Sequence, residues 1–195
     1  MKTNSLNSSK DNNGLLEKFR RIVGYLIAER TLLNKKSDNQ SESPHSFSGF
    51  LQEAESFLIF MPDSKDDFKH AMTFADIIRK KGKKVSLFVK EDKITSLWQN
   101  SYYSYIQVNP GDKTRLELPK RKFALMLRKE KFDVVIDLNI PENIYCSVAA
   151  NLVSSSYRIG FQKRNSDKFY NLQIINNEIN SALSYKNLLN SLQMF

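Results

Sequence analysis

The stretch FDVVIDLNIPENIYCSVAANLVSSSYRIGF, residues 132–161, decides how this chain folds. Val134, Val135 and Ile136 form a β-branched run that ends at Asp137, the pattern of a buried strand. After the turn LNIPE, Ile144, Val148 and Leu152 recur every four residues on a helical stripe. Ala149 and Ala150 keep that helix slim enough to lie close on a sheet. Three serines break it, and Tyr157, Arg158, Ile159, Gly160 and Phe161 read as the next strand. A strand–helix–strand crossover of this length demands parallel strands.

The same alternation extends in both directions. Upstream, the pattern predicts a strand over 57–61 and a helix from the Ser64 N-cap to about 81. A strand over 85–89, a short helix at 94–98 and a strand at 103–108 come next. A turn at 109–112 then leads into a basic amphipathic helix over 118–129. Downstream, the polar loop QKRNSDK precedes an extended piece at 169–175 and a last helix at 181–192. Alternating strands and helices of this kind give a doubly wound, mostly parallel α/β sheet with flanking helices.

Ahead of this domain (50–195), the sequence divides into a polar, disordered tail (1–13), an amphipathic helix (14–34) and a polar linker (35–49). Leu15, Phe19, Ile22, Val23, Leu26, Ile27 and Leu33 share one face of the helix, and Lys18, Arg20, Arg21 and Arg30 lie mainly opposite. Such a helix either packs on the domain or a partner, or lies on an anionic membrane through residues 15–33. The net charge is +9, of which residues 1–36 carry +5, from eight Lys/Arg against three acids. That field favours anionic partners: lipid headgroups, phosphorylated glycans or nucleic acid. The basic residues are scattered without a base-reading motif, which disfavours nucleic acid. The longest apolar run, 22–28, is far short of the roughly twenty residues of a bilayer span, and no secretory signal is apparent. A cytoplasmic protein, free or peripheral on the inner membrane face, is the expectation. One cysteine, Cys146, and two histidines leave neither a disulfide framework nor a plausible metal site.

Ligands of open α/β sheets sit beyond the carboxyl ends of the strands. Three loops reach that edge. The first holds Asp63, Ser64, Lys65, Asp66 and Asp67; with no glycine and three aspartates it repels phosphate, so no nucleotide cofactor is expected there. Asp66 and Asp67 either complement the helix dipole or supply a catalytic carboxylate. In the second, Asp137 and Asn139 are placed to bond a sugar-like ligand or to hold the turn. The third presents Lys163, Arg164 and Lys168 to an anionic acceptor or to solvent.

These residues carry a resemblance. The 132–161 segment is similar to the corresponding part of the glycosyltransferase family 9 heptosyltransferases, which have an aromatic-Asp-hydrophobic-Asp-Leu element, a small-residue helix and an RIGF-like strand. Over roughly 56–192 the chain resembles their acceptor-side half, a single Rossmann-like domain of the GT-B type. The resemblance implies that Asp67 stands at the catalytic-base aspartate, with Asp66 replacing the family's glycine. It also implies ligand contacts from Asp63, Lys65, Asp66, Asp137, Asn139, Lys163 and Arg164. In that family the donor binds mainly to a second domain, and this chain is expected to be without one. The expectation is therefore a non-catalytic binding or accessory module of cell-envelope (lipopolysaccharide) glycan metabolism that takes an anionic glycan or glycolipid. The alternative is an acceptor half that works with a separate donor-binding chain or as a homodimer, with Asp67 as general base.

Overall fold

In the computed structural model, which describes residues 19–20, 22–27, 47–94 and 102–195, the elements follow the predicted alternation. They are α1 (Phe50–Glu53), β1 (Ser56–Phe60), α2 (Lys65–Lys80), β2 (Lys84–Lys90), α3 (Glu91–Ile94) and β3 (Ser104–Val108). Then come α4 (Arg121–Leu127), β4 (Val134–Asp137), α5 (Ile144–Leu152), β5 (Tyr157–Phe161), β6 (Leu172–Ile174) and α6 (Ser181–Gln193). The strands form one six-stranded sheet in the order β3-β2-β1-β4-β5-β6. Every pairing is parallel. This is a Rossmann-like arrangement, and the strand order reverses between β1 and β4.

β1 and β4 lie side by side at its centre, Phe57 opposite Val134 and Phe60 opposite Asp137. Helices cover both faces, so the central strands are apolar runs rather than alternating ones. Phe57, Ile59, Val134, Ile136 and Ile159 face a core shared with α2 and α6. Leu58, Phe60, Phe88 and Val135 face the opposite core, with Phe123 and Leu127 of α4 and Val148 and Ala149 of α5. The small residues of α5 let it ride directly on the sheet. Ser64 caps α2 by accepting from the Asp67 N–H at 3.3 Å.

Several boundaries differ from those predicted. α4 begins at Arg121 rather than 118 because Leu118 precedes Pro119, which disfavours helical backbone there. The preceding loop folds back instead, with the Lys120 N–H donating to Asp112 O at 2.8 Å. The helix expected at 94–98 begins earlier, as α3, and residues 95–98 lie outside the described part. The extended piece narrows to β6, since Phe169 and Tyr170 follow a 3₁₀ turn (Ser166–Lys168) and point into the core. α1 has no counterpart among the predicted elements; its Phe50 and Leu51 are buried. The tail at 1–13 and most of the linker lie outside the described residues. Of the amino-terminal helix, residues 22–27 are helical. Tyr25 packs on Phe169, with ring centroids 5.9 Å apart, and donates to Glu142 Oε1 at 2.7 Å. Among the described residues, no helix is long and apolar enough to cross a membrane.

Candidate functional site

The switch in strand order opens the carboxyl edge of the sheet between β1 and β4, and the three predicted loops meet there. Asp137, the last residue of β4, is fully buried. Its Oδ1 accepts from the Asn139 backbone at 3.0 Å and from Asn139 Nδ2 at 2.7 Å. Its Oδ2 accepts from Lys163 Nζ at 3.1 Å and from the Tyr170 hydroxyl. A carboxylate offers about four acceptor positions, and this one is filled from within the chain. Tyr170 also reaches Ser147 Oγ at 2.9 Å. Burial first, then the Asp137 charge, pushes the Tyr170 phenol well above its ordinary pKa, which keeps it a donor.

Lys163 belongs to this network rather than to solvent, its side chain only 7% exposed. A tight turn aims it inward: the Lys163 N–H donates to Ser166 Oγ at 3.0 Å, and that hydroxyl donates to Lys163 O at 2.8 Å. Arg164 points outward and is exposed. Asn139 is buried, and its carbonyl lies 3.5 Å from Asn143 Nδ2. Of the two readings of Asp137 and Asn139, the geometry is that of residues holding the turn.

The β1–α2 loop divides in a different way. Asp63 pairs with Lys90 of β2 at 2.6 Å, on the rim. Lys65 and Asp66 are exposed, whereas Asp67 is half-buried in the first turn of α2. Asp67 lies close enough to Tyr185 for its charge, after burial, to help raise that phenol's pKa. The Tyr185 hydroxyl donates to Leu138 O at 2.9 Å.

Beside the Asp137 network, on the β2–β3 side, runs a small crevice lined by Asp63, Phe88, Lys90, Lys113, Asn143 and Tyr145, among others. Lys113 Nζ sits 4.6 Å over the Tyr145 ring and 3.3 Å from Glu117. The Tyr145 hydroxyl is buried with no hydrogen-bond partner among the described residues. Burial drives its pKa up, with Asp112 among the lesser causes, so it stays protonated and can donate. Cys146 is buried, and burial raises its thiol pKa strongly, so it is not a nucleophile. No cluster of metal-ligating side chains occurs among the described residues.

Lys90, Lys113, Tyr145 and Tyr170 escaped sequence reasoning. Each is ordinary in its local context; only the sheet order brings β2, the loop after β3, α5 and the segment before β6 to one edge.

Residues 27–195 match the model of a family of unknown function, DUF6913. No curated protein matches the chain. Among solved structures, one of the subunits of dipicolinate synthase from Bacillus halodurans is similar, with 12% identity and a TM-score of 0.41. That match covers all of this chain, which spans 63% of the other's length.

Proposed function

The chain belongs to the DUF6913 family, whose function is unknown, and we propose on the strength of its own site that it is a binding module rather than a self-sufficient enzyme. It takes an anionic glycan or glycolipid at the carboxyl edge, as a heptosyltransferase-like accessory in cell-envelope glycan metabolism. The observation that carries the binding role is the pair of crevice cations, Lys90 and Lys113, beside Asp137, which is itself saturated from within the chain. A fully buried carboxylate with its acceptor positions filled is closed to a ligand. The crevice beside it, by contrast, is lined by Lys90, Lys113, Asn143 and Tyr145. The Lys90–Asp63 and Lys113–Glu117 pairs are partly exposed and worth little, so an incoming anion displaces the carboxylates at small cost. The envelope-glycan assignment rests on the resemblance of the 132–161 segment.

A second reading keeps Asp67 as general base of an acceptor half that acts with a donor-binding partner chain. Its support is the half-buried position of Asp67 in the first turn of α2, at the carboxyl end of β1.

Calorimetric titration with heptose phosphate and with ADP-linked heptose tests both. The expected result is saturable binding of the sugar phosphate, lost in Lys90→Ala/Lys113→Ala, with no binding of the nucleotide sugar. Saturable binding of ADP-heptose would put a donor site within these 195 residues and overturn the module reading. Transferase activity with a partner chain that vanishes in Asp67→Ala would favour the second reading.

A further inference from the structure

On the side of the sheet covered by α4 and α5, exposed apolar side chains and cations coincide. Along 120–129, KRKFALMLRK, there are five basic residues and no acid. Phe123, Ala124 and Leu127 face the core, while Lys120, Arg121, Lys122 and Lys129 are exposed. Leu125 is also exposed, at 51%, as is Met126.

The amino-terminal helix docks on this same layer. A Cβ at Gly24 would lie 3.1 Å from Leu116 O and 3.3 Å from Ile144 Cδ1, so glycine permits the close approach. Tyr25 anchors the helix on Phe169. With that contact made, Phe19 (63% exposed), Ile22 and Leu26 (52% each) project outward at i, i+3 and i+7 spacing, beside the exposed Arg20. The helix therefore packs through Gly24 and Tyr25 and leaves its large aliphatic stripe uncovered.

Scattered exposed apolar residues need no explanation. A helical stripe of three, with two more on the basic helix of the same layer, does. We propose that this layer docks on an anionic lipid surface, with Phe19, Ile22, Leu26 and Leu125 entering the headgroup boundary and the α4 cations meeting lipid phosphates. Charge selects this occupant. A second copy meeting the same layer face to face would set the five cations of 120–129 against five. A nucleic acid would answer the cations but leave the aliphatic stripe in water. The inference is independent of what binds at the carboxyl edge.

Flotation of the full chain with phosphatidylcholine vesicles, and with vesicles that also contain phosphatidylglycerol, is the test. Binding only to the anionic vesicles, weakened by salt, is expected. Each cation near such a surface contributes about fivefold in partitioning, so Arg121→Glu/Lys122→Glu should lower binding by at least about tenfold. Ile22→Ser/Leu26→Ser, which leaves the charge unchanged, should lower it similarly. These positions are exposed, so the unfolding midpoint should stay at the parent value. Failure to bind anionic vesicles at low salt would overturn the proposal. So would equal binding to neutral vesicles, binding that survives Ile22→Ser/Leu26→Ser, or a dimer in light scattering that these substitutions dissolve.

Discussion

Asp133 ties two strands together at their amino ends. Its Oδ2 accepts from the Glu55 N–H at 3.0 Å, the Ser56 N–H at 2.9 Å and the Ser56 hydroxyl at 2.8 Å. Its own N–H donates back to Ser56 Oγ at 3.0 Å. Burial alone would raise the carboxyl pKa, but the bonds from Ser56 and Glu55 outweigh it and hold the group below its ordinary value. The sign follows from linkage. A carboxyl depressed in the folded state gives its full stabilisation above the unfolded pKa near 4 and loses it as pH falls through the folded value. Asp133→Ala is expected to cost about 1–3 kcal/mol at neutral pH. It should also flatten the fall in stability below about pH 4, read by urea unfolding at a series of pH values. An unchanged acid limb in the variant would show that other carboxylates set it. Nothing in the sequence marks Asp133 for this task; its partners are 77 and 78 residues away.

At the scale of elements, β5 and the Asp137 network depend on one glycine. A Cβ on Gly160 would stand 3.1 Å from Cε2 and Cζ of the Tyr170 ring. Tyr170 lies flat against the strand and so reaches Asp137 and Ser147. Gly160→Ala must push that ring away, at an expected cost of about 1–3 kcal/mol. Because both changes act through one ring, Gly160→Ala and Tyr170→Phe should cost less together than the sum of their separate effects. Strict additivity in denaturant unfolding would mean that the glycine serves some other end. The RIGF strand itself was legible from composition, as were β1, β2, β4 and the slim helix α5, because buried parallel strands and small-residue helices leave strong local patterns. The role of its glycine was not, because Tyr170 sits ten residues on and reaches the strand only after a 3₁₀ turn. Lys163 shows the same limit. In QKRNSDK it reads like its charged neighbours, and only the Ser166 hydroxyl turn sends it inward.

For the molecule as a whole, alternation of elements implies parallel strands, but not their order. The reversal between β1 and β4 brings the candidate edge together and is a long-range outcome of packing. Another long-range feature is the seal between the start of the domain and its last described residues. Phe47, Phe50, Tyr157 and Phe195 form an aromatic cluster, with centroids 4.8 Å apart for Phe50–Tyr157 and 6.1 Å for Phe47–Phe195. Phe195 thus links the end of α6 to the approach to α1 across one end of the sheet. It is 41% exposed, so its removal leaves no sealed cavity. The loss is that of two aromatic contacts, each worth about 0.5–1.5 kcal/mol. Phe195→Ala should lower global stability by only about 1–3 kcal/mol. Its local effect should be larger. Amide exchange ought to quicken in α1 and the last turn of α6, while β1 and β4 remain as protected as the global stability permits. A uniform rise in exchange across the sheet would mean that the seal belongs to the cooperative core. Confinement to the two ends would mark it as a separate closing unit, one that can open while the carboxyl edge stays formed.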